Sequence, residues 1–205
     1  MSTAIKTLFL DMGGVILSNG WGTASRKLAA EKFSLDFTEL NDRHKLAFDA
    51  YETGKMSLHE YLQLTVFYMP RSFTPEVFIE FMYTQSQPLT DMLQFVQQLK
   101  QQHGLKVFAL NNEGRELNEY RIRTFGLDKL FDAFVSSAFV QLRKPDKGIY
   151  QLALDIAYTK PEQALYFDDR LMFIQVAHSL GINAIHHTSV ENSKKELAQY
   201  GLSLA

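Results

Sequence analysis

Five stretches of the chain are apolar almost without a break: Lys6–Asp11, Lys106–Asn111, Ala133–Ser136, Ala164–Asp168 and Ala184–His187. Continuous apolar runs of this length fit parallel strands covered on both faces, whereas strands with one wet face alternate. Between the runs, apolar residues recur at helical spacing. Asp91–His103 is such a segment, with Thr90 as its expected N-cap and Gly104 where a left-handed glycine ends a helix. Arg170–Leu180 follows the same plan and closes at Gly181. Strand and helix in alternation predict an open, doubly wound α/β sheet.

One region departs from this rhythm. Between Trp21 and Pro88 the pattern is helical and no run reads as a strand. Ser57 and Glu60 have the spacing of a capping box, and Thr74 before Pro75 reads as an N-cap with proline at the first helical position. The aromatic residues crowded here, among them Phe67, Phe73, Phe78 and Phe81, predict a helical core rather than an aromatic binding surface. An all-helical insertion after the first strand predicts a cap over the carboxyl edge of the sheet. The expected division is a core of residues 1–18 and 88–205 and a cap of residues 19–87. Gly20-Trp21-Gly22 falls at the crossing, as a hinge with Trp21 facing substrate or as a packing site.

Composition narrows the class. The 205 residues suit one domain with an insertion, and 46% hydrophobic content supports a substantial core. With 21 basic and 23 acidic side chains the net charge is -2, so no basic surface for nucleic acid is expected. No apolar run is long enough to span a bilayer, and the N-terminal apolar stretch is too short for a signal peptide. The chain has no cysteine, which excludes disulfides and thiolate metal sites and fits a cytoplasmic setting.

Ligands of open α/β sheets bind beyond the carboxyl ends of the strands. Asp11 ends the first expected strand, Asn111-Asn112 the second and Asp168-Asp169 the fourth; Lys144 lies in the loop after the third. Each has a plainer use alone. A strand-terminal Asp often caps a turn, Asp168-Asp169 could cap the following helix, and Lys144 could be a solvated loop residue. Together they place three carboxylates and a lysine at one rim. Crowded carboxylates resist ionising. A hard cation such as Mg²⁺, which prefers oxygen ligands, relieves that crowding. A carboxylate nucleophile, a metal and a fixed cation are the parts of a phosphoryl-transfer site.

The sequence resembles the haloacid dehalogenase-like hydrolases, in the branch with a helical cap after the first strand. The resemblance is carried by FLDMGGVIL, ALNNEG, LRKPDKGIYQLAL and LYFDDRLMFIQVAHSLGINAI, and it runs from about Ile5 to Ile185. It implies a mostly parallel, Rossmann-like doubly wound sheet with an all-helical cap, and a Mg²⁺-dependent phosphatase acting on a small phosphorylated metabolite. Carried over residue by residue, Asp11 is the nucleophile that forms an aspartyl phosphate. Asp169, Asp168, Asp11 and the Gly13 carbonyl hold the metal. Asn111, with Asn112 beside it, contacts phosphoryl oxygens, and Lys144 neutralises charge on Asp11 and the phosphate.

Three positions depart from the family's pattern. Most phosphatases of the family carry a second Asp two residues after the nucleophile, as the acid and base of the reaction; here Gly13 stands there. Some relatives resembling sugar-1-phosphate phosphatases share that glycine, which makes a sugar phosphate the expected substrate class. Asn111 replaces the usual hydroxyl, and Phe173 replaces an acid or amide expected four residues after Asp169. The rival expectations are a metal-independent 2-haloacid dehalogenase, disfavoured by the paired acids, and a binding protein built on an impaired hydrolase.

Overall fold

The computed structural model describes residues 4–204. Its strands are β1 (Thr7–Leu10), β2 (Lys106–Asn111), β3 (Ala133–Ser136), β4 (Ala164–Asp168) and β5 (Asn183–His186). They form one parallel sheet in the order β3-β2-β1-β4-β5. The helices are α1 (Thr23–Lys32), α2 (Phe37–Glu52), α3 (Leu58–Thr65), α4 (Pro75–Thr84) and α5 (Thr90–His103). They continue as α6 (Arg115–Thr124), α7 (Ser137–Val140), α8 (Lys147–Ala157), α9 (Leu171–Ser179) and α10 (Val190–Ala198).

The apolar runs are strands because both faces are covered. Leu8 and Leu10 of β1 pack with Phe95 and Leu99 of α5 and Leu197 of α10. Phe9, between them, points the other way, towards Tyr150 and Leu154 of α8 and Ile174 of α9. This alternation of adjacent residues between two cores is the strand pleat at work.

Helix ends follow the expected chemistry with one exception. The Ser57–Glu60 capping box forms, with the Glu60 N–H donating to Ser57 Oγ and the Ser57 N–H donating to Glu60 Oε2. Gly104 and Gly181 take the left-handed conformation that ends α5 and follows α9. Thr90 is inside α5 rather than capping it; Leu89 holds the N-cap position, without a side-chain bond. The α10 helix, capped by Ser189, was not anticipated from the apolar pattern.

Helices α1–α4 lie between β1 and α5 and share a hydrophobic core of their own. Phe78 is its centre, with ring contacts to Trp21, Phe33, Phe73 and Phe81. Leu117 of α6 joins that core and so seats the insertion on the sheet's helices. The chain crosses to the insertion and back through two segments that pair at Ser18. Its N–H donates to the Gln87 carbonyl at 2.8 Å, its hydroxyl donates to the Gln85 carbonyl at 2.8 Å, and the Gln87 N–H donates to that hydroxyl at 2.9 Å.

Phe78 is fully buried. Truncating a buried phenylalanine costs about 3–5 kcal/mol, through lost transfer energy and the cavity left behind. Phe78→Ala should lower stability by that amount in chemical denaturation.

Candidate active site at the carboxyl edge of the sheet

Residues from the carboxyl ends of β1, β2 and β4 and from the α7–α8 loop converge. Asp11 follows β1 directly, its N–H donating to the Phe167 carbonyl of β4. Asp168 ends β4 and Asp169 follows it. One carboxylate oxygen from each of Asp11, Asp168 and Asp169 lies within 4.8 Å of the others. Lys144 is buried among them, its Nζ 3.2 Å from Asp11 Oδ1 and 2.6 Å from Asp168 Oδ2.

Lys144 is held at both ends. Asn112 grips its backbone twice: the Lys144 N–H donates to Asn112 Oδ1 at 2.9 Å, and Asn112 Nδ2 donates to the Lys144 carbonyl at 2.8 Å. At the tip, Nζ also donates to the Tyr166 hydroxyl at 2.9 Å. The ring of Phe173 stands 5.0 Å from Nζ, so the residue that replaces an expected polar group covers the ammonium with an aromatic face.

The two acids of β4 have different surroundings. Asp168 is fully buried, accepting from Lys144, from the Tyr166 hydroxyl and from the Arg170 N–H. Asp169 accepts from Asn19 Nδ2 at 3.2 Å through Oδ2, while its Oδ1 is buried without a hydrogen-bond partner. An unpaired buried carboxylate oxygen beside two other acids is a place for a cation. The backbone is shaped to admit it. Gly14 has φ +74°, and a Cβ there would stand 2.3 Å from Asp169 Oδ2.

Burial pushes the Asp11 carboxyl up from its ordinary 3.8 to about 7; Lys144 pulls it down, while Asp168 and Asp169 push it up further. At position 13, where the family usually carries an acid, Asn19 occupies the neighbouring space. A side chain on Gly13 would meet Asn19 Oδ1 at 3.0 Å from its Cβ.

Asn111 and Asn112 part company. Asn111 is buried in the fold, its Nδ2 donating to Asn118 Oδ1 at 2.9 Å and its Oδ1 accepting from Ser136 Oγ at 2.7 Å. It is Asn112 that faces the cavity. Sequence reasoning missed Tyr166 and Asn19. The first was legible: residues two apart on a strand share a face, so Tyr166 had to stand beside Asp168.

A cavity of about 410 Å³ opens over Asp11 and Lys144, between the sheet's edge and the helical insertion. The insertion contributes Trp21, His44, Phe48 and Tyr51, and the sheet domain contributes Glu113 and Arg121. Trp21 lines the cavity and is packed in place, its Nε1 donating to the Tyr61 hydroxyl at 2.9 Å. Arg143, next to Lys144, reaches across to α2 and pairs with Glu52 at 2.6 Å and Asp49 at 3.1 Å.

An acidic cluster and a buried lysine at the carboxyl edge of a parallel sheet, below a helical insertion, are features of a hydrolase site. The sequence profile of the haloacid dehalogenase-like hydrolases matches residues 5–181, and the chain belongs to that family. It is 26% identical to the sesquiterpene phosphatase astK of Aspergillus oryzae over 97% of this chain and 98% of that protein. It is 36% identical to a phosphorylated carbohydrates phosphatase of Thermotoga maritima, over 38% of this chain and 36% of that protein. The crystal structure of an HAD family enzyme from Bacteroides thetaiotaomicron, a magnesium complex, superposes with a TM-score of 0.78 and 19% identity, covering 95% of this chain and 99% of that one.

A carboxyl with a raised pKa binds its proton more tightly in the folded chain than in the unfolded one. The stability Asp11 contributes is complete below about 4 and is lost as pH rises through about 7. Asp11→Asn removes that loss. Without divalent ions, the variant should melt above wild type at neutral pH and show little advantage near pH 4, as read by scanning calorimetry.

Proposed function

We propose that the protein is a Mg²⁺-dependent phosphatase of small phosphorylated metabolites, with sugar phosphates as the favoured class, working through an aspartyl phosphate on Asp11. The observation that carries this reading is the convergence of Asp11, Asp168, Asp169 and Lys144 on one point. The phosphatases among its relatives support it. So does the Asp169 oxygen without a partner, which suits a hard cation. Residues 19–87 serve in this proposal as the cap and 1–18 with 88–205 as the core. No helix among the described residues is long and apolar enough to cross a membrane. A cytoplasmic setting belongs to the proposal and rests on the cysteine-free composition.

Asp11, Asp169 and the Gly13 carbonyl would hold Mg²⁺, with Asp168 as a second acidic contact. Bound there, the ion would supply positive charge to the phosphoryl oxygens. The remaining work falls to the chain itself. Asp11 attacks phosphorus, and the bond to the leaving oxygen breaks. Lys144, fixed by Asn112 below and Asp168 above, meets the negative charge on the transferring group. Asn112 keeps one amide hydrogen beyond the bond to Lys144, and this hydrogen is assigned to a phosphoryl oxygen. Asn111 braces the end of β2 through Asn118 and Ser136.

Phosphate release from a panel of sugar and other metabolite phosphates tests the proposal. Activity should need Mg²⁺ and disappear with a chelator. Asp11→Asn should remove it, since losses on deleting a nucleophile reach about 10⁶-fold. Chloride release from a 2-haloacid that survives chelation would instead establish the dehalogenase reading.

A further inference from the structure

The phosphatase reading says nothing of the substrate beyond its phosphoryl group. The charges around the cavity say more. The acids that line it are Asp11, Glu52 and Glu113, and each has a cation of its own. Asp11 pairs with Lys144 at 3.2 Å, Glu52 with Arg143 at 2.6 Å and Glu113 with Arg121 at 3.0 Å. Among the described residues, three side chains bring positive charge to the lining: Lys144, Arg121 and Arg170. Lys144 and Arg121 are buried and spent on those acids. Arg170 is not. Its guanidinium meets no acid and no hydrogen-bond acceptor among the described residues, only the ring of Phe173 at 5.6 Å.

The fold does not use that charge. Arg170 is the N-cap of α9, where Ser, Thr, Asp or Asn would hold the first turn and a cation opposes the helix dipole. Its side chain makes no capping bond and is exposed. Its place beside the reacting groups is nonetheless fixed. The Arg170 N–H donates to Asp168 Oδ1 at 2.8 Å. Phe173, buried, has Lys144 Nζ 5.0 Å from its ring centre and the Arg170 guanidinium 5.6 Å from it. One ring thus seats both cations. A guanidinium resting on an aromatic face keeps its charge and its fork of N–H donors for a ligand. Lys144 lies buried at the floor with Asp11, whereas Arg170 is exposed on the cavity wall. The part of a substrate that extends away from the floor is the part that meets Arg170.

Resting on the phosphatase reading, we propose that Arg170 is a specificity-determining residue that binds a second anionic group, a carboxylate or a further phosphate, on the leaving part of the substrate. The substrate class narrows to phosphorylated sugar acids and sugar bisphosphates. Either anion can accept two parallel N–H bonds from the guanidinium, a geometry that a hydroxyl does not match. A sugar phosphate with a neutral far end leaves Arg170 to water.

Three compounds on one carbon frame test this: glucitol 6-phosphate, 6-phosphogluconate and glucitol 1,6-bisphosphate. Their far ends are a hydroxymethyl group, a carboxylate and a phosphate. Release of the first phosphate by the full-length protein is followed with Mg²⁺. The kcat/KM of at least one anionic compound should exceed that of the neutral one by about 10–100-fold, the worth of a hydrogen bond to a charged group. The compound favoured shows which anion Arg170 takes. In Arg170→Gln the ratio of anionic to neutral kcat/KM should fall to about one, and Arg170→Lys, which keeps the charge without the fork, should retain part of it. A contact to the transferring phosphate, or a merely structural role, would lower all three compounds together and leave the ratio as it was. A wild-type ratio near one, a ratio that Arg170→Gln leaves unchanged, or phosphate release from other esters but from none of these three overturns the assignment of Arg170 and leaves the phosphatase reading standing. No phosphate release from any ester sinks both.

Discussion

Three carboxylates cannot stand within 4.8 Å of one another unless something positive stands with them. Here that charge is the ammonium of Lys144, buried and shared between Asp11 and Asp168. Much of the edge is built to keep it there. Asn112 fixes its backbone, Tyr166 accepts from its tip, and Phe173 shields it from water. Asp169 is left with one buried oxygen, Oδ1, without a hydrogen-bond partner.

The sheet was legible because its strands are covered on both sides. Such strands must be apolar throughout, and all five strands begin and end within one residue of the expected runs. The polar residues that interrupt those runs at their carboxyl ends were legible for the same reason: Asp11, Asn111 and Asp168 stand where an apolar residue would otherwise continue. What could not be read was pairing over distance. Asn111 and Asn112 look equivalent in sequence, yet one turns to Ser136 and the other to Lys144. Asn19, filling the space beside Gly13, comes from the crossing segment, and nothing in its local pattern marks it. Glu113 and Arg121 are likewise joined by burial, in an ion pair that no local pattern marks.

The insertion and the sheet contribute different things to the cavity. The sheet's edge presents groups fixed by strands and by hydrogen bonds to neighbouring backbone. The insertion presents aromatic faces whose positions depend on its own core around Phe78. Arg143 ties the two together beside Lys144. The two parts thus meet at the cavity with separate hydrophobic cores, a division that lets each vary under separate constraints.

The pairing of the two crossing segments at Ser18 extends this separation to the history of the fold. Where the outgoing and returning chain lie side by side, the insertion is a closed loop on a narrow stalk. Loop closure costs only slowly more as residues are added. A shorter, longer or unrelated helical module grafted at that stalk would meet the same two chain ends at the same spacing. Such a module would also have to meet Leu117 and Arg143, which pack against and pair with the present one, so the sheet domain limits what can be grafted there.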